Sequence, residues 1–195
     1  MAYAADSTVE NPLLDIPVGK FGMWVFLVSE IMLFTGLIGS YIVLRLGSPS
    51  WPKPGEVLNT ALLGVNTVVL LSSSLTMALA LAAVQQGRQA ALKRYLLMTA
   101  ALGLAFLAIK GYDYAHMWHE GFTMSSSLFG SCYYLLTGFH ALHVLSGVIL
   151  LSYLFVAASG GMFSVTHYGR IEYSGLYWHF IDIVWVILFA ILCLV

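Results

Sequence analysis

Five long apolar stretches, separated by short polar or turn-forming segments, divide the chain. They lie at about 21–46, 58–84, 95–114, 127–157 and 175–194. Each has at least the roughly 20 apolar residues that a helix needs to cross about 30 Å of hydrocarbon. The proline-rich segment at 48–56 cannot continue a helix. The pattern therefore predicts an all-α membrane protein, a bundle of five transmembrane helices over 21–195 that follows a polar N-terminal tail at 1–20.

Composition supports a membrane protein and excludes one class of partner. Hydrophobic residues make up 60% of the chain and charged residues 9%, with a mean hydropathy of +0.88, whereas a soluble domain is about 25% charged. The formal net charge of -1 excludes charge-driven nucleic-acid binding as a main function. Cys132 and Cys193 are far apart and form no CxxC pair, which favours two small buried side chains over metal ligands.

The basic residues favour one orientation across the membrane. Five of them would share the side of the N-terminus and three would lie opposite: Lys20, Arg88, Lys93, Arg94 and Arg170 against Arg45, Lys53 and Lys110. By the positive-inside rule, the N-terminus is expected inside and the C-terminus outside. The first residues lack a basic segment, so they predict a surface tail rather than a secretory signal.

The first apolar stretch carries an acidic residue, Glu30, near its middle. At roughly 1.5 Å per residue it lies about 15 Å beyond Lys20, close to the bilayer midplane. Its helical neighbours at three-, four- and seven-residue spacing are all apolar, so no partner comes from its own helix. An ionised carboxylate at that depth costs about 2.5–3.5 kcal/mol. We therefore expect a buried, neutral intramembrane carboxyl.

Two pairs of ionisable residues mark the last two stretches. His140 and His143 lie in the fourth and His179 and Asp182 in the fifth, and the i, i+3 spacing puts each pair on one helical face. One interpretation is a haem or metal ligand set. However, His140 lies about 18 Å from the outer side and His179 about 9 Å from the inner side, so they differ in height. The favoured interpretation is a structural polar network, with His143 or His140 bonded to Asp182.

A polar cluster of Lys110, Asp113 and His116 ends the third stretch, followed by His119 and Glu120. Asp113, His116 and Glu120 share one face, so a surface metal site is one interpretation. The favoured one is a solvated helix end from which Lys110 reaches toward water. No metal site and no catalytic residue is predicted.

Residue-level reasoning leaves three classes open: an accessory subunit, a small proton-handling protein and a solute transporter. Transporters usually carry internal repeats and helices broken at midplane. The chain shows no internal repeat and no proline inside a span, which disfavours a transporter.

Five motifs occur in the order that one family of membrane proteins shows. They are KFGMWVFLVSEIMLF, LGVNTVVLLSSSLTMALA, IKGYDYAHMW, GSCYYLLTGFHALHVLSG and HYGRIEYSGLYWHFIDIVWVILF. On these motifs the chain resembles subunit III of the haem-copper terminal oxidases (cytochrome c and quinol oxidases) from Lys20 to the end. The resemblance places the family's midplane glutamate on Glu30.

The resemblance implies a role and a set of partners. Subunit III holds no haem or copper, packs on subunit I, supports proton uptake there and keeps the enzyme active over many turnovers. We therefore expect a non-catalytic subunit of a proton-pumping oxidase in a bacterial or archaeal cytoplasmic membrane. Its partners would be subunit I, subunit II and lipids, with haem and copper in the partner subunits. His140, His143, His179 and Asp182 would be structural.

The chain departs from the longer family members in two respects. Those members have seven helices, with a lipid-filled cleft beside the first two helices. This chain resembles the five-helix type that lacks these two helices. Bound phospholipid is the candidate ligand of this chain. Lys110 replaces the usual Gln and Asp113 the usual Glu, so these two are expected to pair. Three alternatives stay open: an accessory protein of a nitric oxide reductase, a stand-alone proton or solute transporter, and a haem b anchor.

Overall fold

Five long helices make up most of the part of the protein that the structure describes. The computed structural model describes residues 10–11, 16–52 and 54–194; most of the predicted tail at 1–20, together with Lys53, lies outside this part of the chain. The helices are α1 (Val18–Gly47), a single turn α2 (Pro54–Val57), α3 (Thr60–Gln85), α4 (Gln89–His119), α5 (Leu128–Ser159) and α6 (Gly169–Phe189). A π-helical segment, Ala190–Leu194, continues α6. Two short strands, β1 (Glu10–Asn11) and β2 (Ile16–Pro17), pair antiparallel ahead of α1.

The predicted fold class is confirmed. Within the described residues, five helices are long and apolar enough to cross a membrane, one for each predicted span. The largest differences at a helix start are at α4 and α6, which begin at Gln89 and Gly169 rather than near 95 and 175. Lys93 and Arg94, interpreted as loop residues, belong to the first turns of α4. Arg94 is exposed and Lys93 is half-buried, and at 31 residues α4 is longer than the roughly 20 residues that a helix needs to cross the hydrocarbon.

Polar caps and left-handed glycines define the helix ends. The Asn59 side chain accepts a hydrogen bond from the Leu62 amide at 3.0 Å, and Ser127 accepts one from the Gly130 amide at 2.9 Å. Each satisfies a backbone donor that the first helical turn leaves free. Gly87 and Gly161 follow α3 and α5 with φ of 71° and 75°, a conformation that glycine adopts without steric cost.

Helix α6 lies at the centre of the bundle and packs against α1, α3 and α5, while α4 packs against α3 and α5. Its Trp178 is fully buried and lies so close to Gly103 and Gly147 that a Cβ at either would approach its ring to 2.7 Å. Helix α1 is peripheral and largely exposed. An ion pair of 2.7 Å between Lys20 and Glu172 joins the start of α1 to the start of α6.

Candidate functional site

The Glu30 carboxyl of α1 pairs with a histidine of α5. Glu30 Oε2 lies 2.9 Å from His143 Nε2, and the side chains are 15% and 17% exposed. The other ring nitrogen, Nδ1, lies 2.7 Å from the Phe139 carbonyl oxygen. Because a carbonyl only accepts, Nδ1 must carry a proton. The contact is therefore either a neutral carboxyl donating to Nε2 or a carboxylate that accepts from a charged imidazolium.

Neighbouring polar contacts attach this pair to α6. Ser146 donates to the His143 carbonyl at 2.8 Å, and its hydroxyl lies 2.7 Å from that of Tyr177. The Phe34 ring packs edge-on against the His143 ring with centroids 5.1 Å apart. The pair thus lies where three helices meet, close to the outer surface of the bundle.

The predicted bond between Asp182 and His143 or His140 is wrong. His143 turns toward Glu30, whereas His140 is fully buried with the Phe106 and Trp185 rings packed against it. Among the described residues, neither His140 nitrogen and neither Asp182 oxygen has a hydrogen-bond partner. His140 and His143 are three residues apart, so their side chains leave the helix about 60° apart. This difference is enough to place His140 in the core and His143 at the contact with α1.

The partner of His179 is a hydroxyl of α3. Ser74 Oγ lies 2.6 Å from His179 Nδ1, and both side chains line a groove with Asp182. Helix α3 also accepts hydrogen bonds from two tryptophans of α6. The indole N–H groups of Trp178 and Trp185 donate to Ser73 and Thr67, respectively, at 3.0 Å each. Sequence analysis missed these α3 partners, because the adjacency of α3 and α6 leaves no local signal in the sequence.

The predicted pairing of Lys110 with Asp113 is confirmed, but its predicted setting is wrong. Lys110 Nζ lies 3.0 Å from Asp113 Oδ2 and also donates to the Tyr133 hydroxyl, which in turn donates to Asp113 Oδ2 at 2.9 Å. The lysine is 2% exposed and lies over the Tyr114 and Tyr133 rings. Hydrogen bonds and ring faces compensate a buried cation, so it does not extend to water.

The third member of the predicted helix-end cluster lies apart from that buried pair. The side chains of His116 and Glu120 are largely exposed and approach each other to 3.5 Å. Across the part of the chain that the structure describes, no three His, Cys, Asp or Glu side chains converge closely enough to hold a metal ion.

The fold and its polar contacts define a class: an integral membrane protein whose buried ionisable groups lie at helix contacts. A comparison with family models identifies the family. The chain belongs to the cytochrome c oxidase subunit III family, whose model matches residues 15–194. The resemblance inferred from the five motifs is therefore confirmed.

Curated relatives cover most of the chain. A cytochrome c oxidase subunit 3 of Synechocystis is 42% identical over 89% of this chain and 74% of its own length. A probable subunit 3 of Nocardia farcinica is 38% identical over 87% and 84%. The subunit 3 of Thermostichus vulcanus is 32% identical over 98% and 92%.

Proposed function

We propose that the chain is the non-catalytic subunit III of a proton-pumping haem-copper oxidase that reduces oxygen to water. In this role it stabilises subunit I and supports proton uptake by subunit I. Family membership supports the assignment to an oxidase complex. Haem and copper belong to the partner subunits, and this chain contributes no catalytic residue.

The contact between Glu30 and His143 carries the proposal. Its two proton-binding groups lie 2.9 Å apart with side chains 15% and 17% exposed, near the surface of the bundle rather than in its core. Because the two side chains are partly exposed, a neighbouring subunit can contact them. We propose the neutral arrangement, in which the Glu30 carboxyl donates to Nε2, because a charged group is costly at this depth.

We further propose direct contact with subunit I, membership of a complex with subunit II, and bound phospholipid. The membrane would be a bacterial or archaeal cytoplasmic membrane, with the N-terminus inside. Lys20 begins α1, Arg88 lies in the link between α3 and α4, and Arg170 begins α6. These positions put the basic residues at one end of the bundle, which supports that orientation.

The test is purification of the complex through an affinity tag on this chain. We expect partner chains that carry haem and copper, and turnover with oxygen. Mass spectrometry would identify the partners, and absorption spectroscopy would detect the haem. Turnover with nitric oxide but not oxygen would favour the reductase, whereas a Soret band in the isolated chain would favour a haem anchor.

A further inference from the structure

A groove of about 370 Å³ opens on the outer surface between α3 and α6. Ser74, His179 and Asp182 contribute its polar lining, and apolar residues such as Leu71 and Ile183 form its walls. Leu71 and Ile183 are exposed, so the groove lies on the face that the bundle presents to its surroundings. The Glu30–His143 contact lies elsewhere, at the meeting of α1, α5 and α6.

The polar lining of the groove lies near the middle of the membrane. At roughly 1.5 Å per residue, Asp182 is about 20 Å from the start of its span at Gly169 and about 17 Å from the end at Cys193. Ser74 is at a similar depth in α3, which extends from Thr60 to Gln85. Phospholipid head groups lie about 15 Å from the midplane, outside the hydrocarbon core, so they do not reach these side chains.

The Asp182 carboxyl is the unexplained group in this groove. It is 3% exposed, and neither oxygen has a hydrogen-bond partner among the described residues. The Ser74 hydroxyl is a polar neighbour of this carboxyl, and that hydroxyl is bonded to His179 at 2.6 Å. Ionisable groups in membrane helices generally pair, because an unpaired polar group in hydrocarbon is costly.

We propose that the α3–α6 groove receives a hydrogen-bond-donating side chain from a transmembrane helix of another oxidase subunit. This inference rests on the proposed function, since it assumes an oxidase complex. A donor would satisfy Asp182, and the exposed apolar walls would pack against the apolar side chains of the same helix. Lipid acyl chains match the walls but carry no donor for the carboxyl.

Photo-crosslinking in the assembled complex tests the proposal. A benzophenone amino acid replaces Ile183, which lines the groove and is 60% exposed, and in a control it replaces Leu104 of α4, which is 53% exposed. The complex is irradiated in native membranes and the adducts are identified by mass spectrometry. We expect the Ile183 probe to crosslink to a different oxidase subunit with a higher yield than the Leu104 probe.

Substitution of the acid then tests the donor contact itself. We expect Asp182→Leu to lower the Ile183 crosslink about threefold, the factor of an average interhelical hydrogen bond in a membrane. Asp182→Asn keeps an acceptor oxygen and should retain most of the yield. Ser72→Ala is the control, because Ser72 is an exposed α3 hydroxyl that bonds to its own backbone at Val68. If Asp182→Leu does not accumulate, the comparison of the Ile183 and Leu104 probes decides whether another subunit occupies the groove.

Four results would overturn the inference: adducts with lipid alone, adducts with a second copy of this chain, equal yields from the two probes, or an Asp182→Leu yield equal to that of the parent. The proposed function fails in a different way. If the chain purifies without any haem-copper partner, the assignment as subunit III is wrong. If it purifies within an active oxidase but the groove crosslinks only to lipid, the groove proposal alone is wrong.

Discussion

Glu30 and Lys110 show two ways of placing an ionisable side chain inside a membrane helix bundle. Glu30 contacts one histidine near the outer surface, and one proton position decides whether the contact is neutral. Lys110 is enclosed by a carboxylate, a hydroxyl and aromatic rings. If the Glu30 contact is neutral as proposed, we expect it to tolerate an uncharged replacement, whereas the Lys110 contact should depend on the charges of both partners.

Glu30→Gln tests the neutral arrangement of the pair. An amide can donate to His143 Nε2 as a protonated carboxyl does, so we expect less than about 0.5 kcal/mol of destabilisation. Glu30→Leu removes the bond and should cost about 0.6–1.7 kcal/mol. Unfolding in mixed micelles and the number of turnovers before inactivation measure both variants. A loss of about 3–5 kcal/mol for Glu30→Gln, the size expected for a broken buried ion pair, would contradict the neutral arrangement.

Lys110→Met should leave Asp113 as a buried, uncompensated charge. We expect a loss of about 3–5 kcal/mol in the free energy of unfolding. The double variant Lys110→Met/Asp113→Asn should recover part of that loss, because it removes both charges. Arg94→Gln, at an exposed position of the same helix, is the control and should change stability by less than about 0.5 kcal/mol. Strictly additive effects in the double variant would show that the two charges do not interact.

Sequence analysis found the ionisable residues but only one of their pairings. Lys110 and Asp113 are three residues apart on one helix, so helical geometry alone predicts their contact. Glu30 and His143 are on different helices, and their contact depends on how α1 packs against α5. The burial of Lys110 was also missed, because the rings around it come from two other helices as well as its own.

At the scale of elements, the bundle is held closely around the Trp178 ring of α6. This ring fills the space left by two glycines, Gly103 on α4 and Gly147 on α5. Its indole N–H donates to Ser73 of α3, so one side chain joins three neighbouring helices to α6. Small residues permit such close approach of helices in membranes.

Gly147→Ala should therefore destabilise the bundle. Its Cβ would lie 2.7 Å from the Trp178 ring, and moving a packed indole costs about 1–3 kcal/mol. Gly138→Ala is a matched control on the same helix, because its Cβ would meet nothing within 4 Å. We expect the control to be neutral or to stabilise by up to about 1 kcal/mol, measured by unfolding in mixed micelles. Equal effects of the two substitutions would contradict the role given to the Trp178 contact.

The helices themselves were predictable, since hydropathy and turn residues are properties of neighbouring positions. The ends of the helices were less predictable. Lys93 and Arg94 belong to α4, although the composition around them is typical of a loop. The difference between Gly138 and Gly147 lies in the residue opposite each of them. That information belongs to the packing of α5 on α6, and the sequence of α5 does not contain it.

At the scale of the whole molecule, successive spanning helices cross the membrane in opposite directions. This alternation of direction fixes which links share a side of the membrane. With the N-terminus inside, the link between α3 and α4 is inside and the link between α4 and α5 is outside. Three of the basic residues that support this orientation, Arg88, Lys93 and Arg94, lie in or beside the first of these links.

Cysteine labelling in intact cells tests this topology. Cys132 and Cys193 are first replaced by Ser; Gln86→Cys and Ser125→Cys are then introduced at exposed link positions. We expect a membrane-impermeant maleimide to label only Ser125→Cys in intact cells and both variants after lysis. The background chain without cysteine is the control for non-specific labelling. Labelling of Gln86→Cys in intact cells would reverse the orientation.

The peripheral position of α1 has a consequence for biogenesis. The helices on which it packs, α5 and α6, are encoded at the opposite end of the chain. During synthesis α1 leaves the ribosome before α5 and α6, and about a hundred further residues are translated before α5 is complete, at a rate of about 5–20 per second. Throughout that interval the Glu30 carboxyl has no His143 beside it, so the nascent helix enters the lipid without the partner that this acid has in the folded bundle.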